Sequence, residues 1–313
     1  MTGLVTVGES LGLVRAAGIG SLIHESALVL GVGGAEGNVA IGVSRLGGES
    51  TWVGRLGTDS LGRRIAREYR AEGIHVIIHE DDSATGLMLK ERPTAERTIV
   101  HYYRKGSAGS HLTPSDIDDV DIEGAGILHV TGITLAISQS ARDTIHAAID
   151  RANAAGVPVS FDINHRSRLW GALEDAADAY KNIISKADIV FAGLDEASIV
   201  VEQRAPRELA LALSRLGPGE VVIKLGSDGC FALDHGFEYR RDAIPVNVVD
   251  TVGAGDAFVA GYLAERMRNQ GTEARLETAV RAGAFVCASA GDWEGLPTRA
   301  ELEASDEPDP VSR

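Results

Sequence analysis

The residues best placed to do chemistry in this sequence are Asp250-Thr251-Val252-Gly253-Ala254-Gly255-Asp256, which lead into a small-residue, apolar stretch through Met267. A Gly-Ala-Gly turn opening a buried helix leaves backbone N–H groups free at the positive end of the helix dipole, a place where phosphate is favoured. Asp256 in that first turn would be repelled by a phosphate unless it does work there. Deprotonating a hydroxyl that attacks the phosphate is such work, because phosphoryl transfer needs positioning, charge stabilisation and an oriented nucleophile. The competing reading makes Asp256 a cap for its own helix amides.

A second glycine-rich stretch, Gly31-Val32-Gly33-Gly34-Ala35-Glu36-Gly37-Asn38-Val39-Ala40, lies near the N-terminus. It is not a dinucleotide fingerprint, since Gly-x-Gly-x-x-Gly counted from Gly31 puts Glu36 at the sixth position, and no Walker A loop occurs. Gly33 and Gly34 let a ligand approach the backbone, and Asn38 offers both a donor and an acceptor for sugar hydroxyls. A plain glycine turn with Asn38 capping the next helix is the alternative. Tyr102 and Arg104, two apart on an alternating segment, share one face. Arg166 follows a β-branched run by a few residues, at the strand end where open α/β sheets bind ligands. Paired guanidinium donors match the two oxygens of a carboxylate, so Arg104 and Arg166 together suit an acid group on a ligand; one of them stabilising phosphate or pairing with a surface acid is the alternative. His75 and His79 have metal-like spacing but fall near a strand, where they would not converge, and are expected at the surface.

Short β-branched runs alternating with helical patterns supply the scaffold and predict an α/β protein with a mostly parallel sheet. The strands expected are Leu4–Val7, Ile127–Val130, Val157–Asp162, Ile189–Phe191 and Val221–Leu225, and the helices Ser60–Glu72, Ser138–Ala155, Leu173–Lys186 and Arg207–Leu216. Two stretches break the rhythm. Thr85–Lys90 and Thr98–Arg104 alternate with period two around the polar segment Glu91–Arg97 and predict a hairpin, to which Leu11–Val14 and Ala27–Val32 add further strands. Such a small sheet, from about residues 10–32 and 84–106, would form a lid inserted within one α/β domain spanning 1–313 and exclude water from the reaction; an extension of the main sheet's edge is the alternative. The acidic tail at 304–313, with Pro308 and Pro310, is expected to fray.

Composition narrows the function classes. The chain has 313 residues, 44% hydrophobic and 24% charged, enough for a sizeable core. With 30 Lys plus Arg against 45 Asp plus Glu, the formal charge of −15 argues against nucleic acid or an anionic membrane surface as partner. No apolar run is long enough for a membrane helix and the N-terminus does not read as a signal peptide, so a cytoplasmic protein is expected. Cys230 and Cys287 fit neither a disulfide framework nor a thiolate metal site and are expected to be buried.

The pair Gly33-Gly34-x-x-x-Asn38-Val39-Ala40 and Asp250-Thr251-x-Gly253-Ala254-Gly255-Asp256, in this order and at this separation, resembles the two signatures of the PfkB or ribokinase-like sugar kinases over about residues 3–303. The resemblance implies a three-layer fold with a β-sheet lid, ATP and Mg²⁺ as co-reactants, with a monovalent cation left open, and phosphorylation of a sugar hydroxyl. By it, Asp256 matches the catalytic base, Gly253, Ala254 and Gly255 the anion hole, and Lys224, Gly226, Ser227 and Gly229 the nucleotide-flanking strand and turn; an ordinary hairpin before Cys230 is the alternative. The stretches 102–110, 129–134, 162–170 and Gly291-Asp292 are similar to the 2-keto-3-deoxygluconate kinase branch, which implies acid-sugar contacts for Gly34, Tyr102, Arg104 and Arg166.

The chain departs from that pattern at three positions. Met88 stands where the branch often has tyrosine, Glu36 where the wider family often has Pro or Gly, and Gly193-Leu194-Asp195-Glu196 replaces an Asn-x-x-Glu element. Glu196 is thereby left as an indirect metal residue. A kinase for fructose, ribose or a nucleoside, and a non-catalytic sugar-binding protein of the same fold, are the rival readings. Exposed lid-strand edges predict a homodimer through the lid or a higher assembly.

Overall fold

The computed structural model describes residues 3–94, 97–202 and 204–304. Among these, thirteen strands form two sheets: β1 (Leu4–Val7), β2 (Leu11–Ala16), β3 (Leu28–Gly33), β4 (Ser50–Gly57), β5 (His75–Asp81), β6 (Leu87–Thr94), β7 (Arg97–Tyr103), β8 (Ile127–Thr131), β9 (Val159–Asp162), β10 (Ile189–Gly193), β11 (Glu220–Lys224), β12 (Cys230–Asp234) and β13 (Phe237–Arg241). The nine-stranded sheet runs β13-β12-β11-β10-β9-β8-β1-β4-β5, and the small sheet runs β3-β2-β6-β7. Neighbours from β11 across to β5 are parallel, while β12 and β13 close one edge as antiparallel strands.

Both faces of the large sheet are buried, so its strands read as continuous apolar runs whose alternate residues enter different cores. Val190, Val221 and Ile223 pack on one side with the helices Gln139–Ala155, Leu173–Ile184 and Pro206–Ser214. Ile189, Phe191 and Val222 pack on the other against the helices Ala254–Met267 and Thr272–Cys287. Helix, sheet and helix thus make three layers of an α/β fold with a mostly parallel sheet and a smaller lid sheet. No helix among the described residues is long and apolar enough to cross a membrane.

Several boundaries differ from expectation. The strand after the helix Gln139–Ala155 starts at Val159, because the Val157 N–H closes that helix on the Ala152 carbonyl and Pro158 has no N–H to pair. The hairpin strands run on to Thr94 and from Arg97, so Glu91 and Thr94 each pair across the hairpin rather than lying in a long loop, with a register shift between them. β4 and β5 are additional strands, and His75 and His79 lie on the edge strand β5, His79 Nδ1 3.5 Å from Asp116. Cys230 is buried, but Cys287, the last residue of its helix, is only half-buried on a cleft wall. The expected frayed tail lies outside the described residues beyond Ala304.

Candidate active site

The site forms where the lid closes over the carboxyl ends of the parallel strands. A cleft of about 530 Å³ is bordered there by Gly34, Asn38, Met88, Tyr102, Arg104, Asn164, Arg166 and Asp256 among others. The lid reaches it with one face: cross-strand register puts Leu11, Leu13, Met88, Val100 and Tyr102 on the same side. Leu11, Leu13 and Met88, with Val100 against them, are a small apolar cluster roofing the cleft.

Asp256 is on the floor, in the first turn of the helix Ala254–Met267, and only 9% exposed. Its carboxylate is not a cap for its own helix. Asn38 Nδ2 donates to Oδ2 at 2.8 Å and Asn164 Nδ2 donates to Oδ1 at 3.1 Å. Burial pushes the Asp256 carboxyl up, while the Asn38 and Asn164 amides and the charges of Arg166 and Lys224 pull it down. Asn38 is likewise no helix cap, since it lies inside the helix Ala35–Arg45, whose N-cap is Gly34 at φ 152°. A side chain on Gly34 would meet the Glu9 carbonyl at 2.6 Å, so glycine is required by both backbone and space. Gly33 is buried against Met88 and Asp292 and is not on the cleft wall, so its room is taken by those side chains rather than left for a ligand.

The turn Asp250–Gly255 leads into the helix Ala254–Met267. Gly253 is left-handed (φ 81°) and caps the helix. The N–H groups of Gly253 and Gly255 have no hydrogen-bond partner among the described residues, whereas that of Ala254 leans inward to the Thr251 carbonyl at 3.3 Å. Two of the three expected amides are therefore free for a ligand.

A second cleft of about 560 Å³ adjoins the first, its walls mostly apolar: Ile244, Pro245, Val246, Val280, Ala284 and Cys287. Gly226, Ser227 and Gly229 edge it, and the turn they form links β11 to antiparallel β12, as the hairpin reading expects. Lys224, Gly226, Thr251 and Gly255 border both clefts. The Lys224 ammonium is occupied, donating to both oxygens of Asp162 at 2.8 Å. Burial pulls it down, but Asp162 and Glu196 outweigh that and hold it protonated.

Arg104 lies one residue past β7 with its guanidinium carbon 4.6 Å from the Tyr102 ring centroid and its Nε 3.0 Å from Glu9 Oε2. That contact is an ion pair without hydrogen-bond alignment. Arg166 is exposed on the opposite wall and spends one N–H on the His165 carbonyl at 3.0 Å. Glu196 accepts the His165 N–H at 2.9 Å and the Gly193 N–H at 2.7 Å, which pins the loops after β9 and β10. Glu36 is buried under the cleft, where it accepts from the Thr131 and Thr134 hydroxyls at 2.6 Å each, and burial pushes it up to about 7.

Asn164, Asp162, Glu9 and Lys90 carry site geometry without having been assigned a role from sequence. Asn164 takes φ 39°, a conformation Asn tolerates better than most residues, and Asp162-Ile163-Asn164 follows a strand end, which is the signal that could have found it. Glu9 sits between two apolar strands, where a buried charge needs a partner.

The model of the pfkB family of carbohydrate kinases matches residues 1–299. A 2-dehydro-3-deoxygluconokinase of Bacillus subtilis is 36% identical over 303 residues, covering 95% of this chain and 93% of that protein. The crystal structure of 2-dehydro-3-deoxygluconokinase from Thermotoga maritima superposes with a TM-score of 0.89 at 25% identity, covering 96% of this chain and 97% of that one. A ribokinase II structure from E. coli in complex with ATP and Mg²⁺ shares the fold with a TM-score of 0.89 at 23% identity, covering 97% of this chain and 98% of that one. With both signatures folded into one site and the family model spanning nearly its whole length, the chain belongs to the pfkB family of carbohydrate kinases.

Proposed function

We propose that this kinase transfers the γ-phosphoryl group of ATP to a hydroxyl of 2-keto-3-deoxygluconate or a closely related acid sugar. The observation that carries the reading is the placement of Asp256 on the floor of a cleft with Arg104 and Arg166 on its walls, beside the free amides of Gly253 and Gly255. The names of the relatives support the same substrate class. In this reading the sugar carboxylate lies between the two guanidinium groups, with Gly34, Asn38 and Tyr102 beside the sugar. Asp256 takes the hydroxyl proton as the sugar oxygen bonds to the γ-phosphorus and the bond to the ADP oxygen breaks. The amides of Gly253 and Gly255 meet the charge on the transferring group. The adenosine occupies the apolar cleft, with the turn at Gly226, Ser227 and Gly229 beside its phosphates and Lys224 at the junction.

Magnesium neutralises charge on the nucleotide phosphates when bound. Glu196 and Asp162 are already committed to backbone amides and to Lys224, which fits an ion carried by phosphate and water with Glu196 reaching it through water. We further infer a cytoplasmic enzyme, built as one α/β unit with its lid, that assembles through that lid.

The test is ADP release against a panel of acid sugars, neutral sugars and nucleosides, with wild type and Arg104→Ala. Wild type is expected to prefer 2-keto-3-deoxygluconate, and Arg104→Ala to lose about 10²-fold in kcat/KM on it while changing little on any neutral sugar used. Equal losses on both, or wild-type preference for fructose, ribose or a nucleoside, overturn the acid-sugar assignment. A silent panel with ligand-induced thermal stabilisation identifies a binding protein instead.

A further inference from the structure

Lys90 lies on the cleft-facing side of β6 and is 2% exposed. Its Nζ is 2.5 Å from Asp250 Oδ2, donates to the Gly291 carbonyl at 3.3 Å and is 3.6 Å from Asp292 Oδ1. All three oxygens belong to segments that shape the Asp250–Gly255 turn. Asp250 Oδ1 accepts the Val252 N–H at 3.2 Å, and the Asp292 carbonyl fills the space where a side chain on Gly253 would stand, 1.8 Å from an added Cβ. One ammonium thus joins the lid to both sides of the turn.

The charge balance makes this more than packing. Asp250 and Asp292 are both buried, Asp292 Oδ1 has no hydrogen-bond partner among the described residues, and the next group to arrive is a phosphate. Burial pushes the Asp292 carboxyl up to about 7, and Lys90 is the group that pulls it down. Without the ammonium, two carboxylates face each other beside an anion. A single positive charge ringed by two carboxylates and a carbonyl is also chemically equivalent to a bound alkali or ammonium ion.

We propose that Lys90 is a positioning residue acting as a tethered monovalent cation, which locks the lid strand β6 to Asp250 and to the Gly291-Asp292 segment and so sets the Gly253–Gly255 turn for phosphoryl transfer. The chain thereby needs no free monovalent ion at this point. The inference rests on the turn receiving the phosphoryl group and is independent of which sugar is used.

The test compares wild type, Lys90→Met and Lys90→Arg, first with choline as the only monovalent cation and then with potassium or ammonium added. Wild type is expected to be indifferent to the added ion. Lys90→Met is expected to lose about 100-fold or more in kcat in choline, with a smaller change in KM, and to regain about tenfold or more with potassium or ammonium. Lys90→Arg is expected to keep much of its activity without them. The melting temperature of Lys90→Met is expected to rise with potassium or ammonium, while that of wild type does not, a readout that needs no turnover and stands even if the acid-sugar assignment fails. Turnover of Lys90→Met within about threefold of wild type in choline, a wild type that itself requires potassium, or a loss unaffected by any ion in both rate and melting temperature overturns the proposal.

Discussion

Asp256 is an aspartate whose surroundings oppose each other: burial pushes its carboxyl up, and two asparagine amides hold it down. A base works only when deprotonated, so its pKa sets the acid limb of the rate profile. Asn38→Ala removes the amide at 2.8 Å, which stabilises the charged form, and the pKa must therefore rise. The acid limb of kcat/KM is expected to move to higher pH, with rates at pH 6 falling more than rates at pH 9. An unmoved limb, or one shifted to lower pH, removes the amide from this role. Asp256→Asn keeps the shape and removes the proposed base, and its turnover is expected to fall about 10²–10⁴-fold at every pH. An essentially wild-type rate would sink Asp256 as the proton acceptor. Asp256 and Asn38 were legible in the sequence because each sits in a glycine-rich motif at a helix start. Their contact was not, since it spans 218 positions and exists only once two helices from opposite ends of the chain pack side by side.

At the scale of elements, the turn proposed to receive the phosphoryl group depends on glycine for two different reasons. Gly253 has φ 81° and an added Cβ would lie 1.8 Å from the Asp292 carbonyl, a backbone atom that cannot swing aside. Gly255 is an ordinary helical position whose added Cβ meets only the Lys224 Nζ at 3.7 Å. Gly253→Ala is therefore expected to lower the melting temperature by several degrees and turnover by about 100-fold or more. Gly255→Ala should leave the melting temperature unchanged or slightly raised while weakening ATP use, because its methyl enters the border between the two clefts. Thermal melts with steady-state rates separate the cases, and equal melting behaviour in the two variants contradicts the account. The same contrast explains what sequence could foresee of the elements. The buried parallel strands such as Ile189–Gly193 and Glu220–Lys224 are apolar runs and stand out. Strand β4, Ser-Thr-Trp-Val-Gly-Arg-Leu-Gly, carries glycine and arginine that are satisfied only by neighbours, with Arg55 bound to Asp116 and Asp81, and strand β13 is mostly charged or exposed.

For the whole molecule, the lid sheet is two-faced. Its inner side roofs the cleft, and register places Val14, Leu28, Leu30, Leu87, Leu89 and Tyr103 on the outer side. Leu28 and Tyr103 are 53% and 63% exposed, and Leu30 is exposed beside them. A row of apolar side chains on a sheet with open edges favours a second copy of the same surface. The formal charge of −15 per chain opposes association, so the contact must be made by apolar area and tightened by salt. Sedimentation of wild type at micromolar concentration is expected to give a dimer that strengthens with ionic strength. Leu28→Glu combined with Tyr103→Glu should give a monomer whose melting temperature is little changed, because neither side chain is buried in the isolated chain. Since Tyr102 and Arg104 flank Tyr103 on the same strand end, losing the partner should also loosen the lid and raise the KM for the sugar more than that for ATP. A wild type that sediments as a monomer, or a double variant that still dimerises, would place the assembly surface elsewhere.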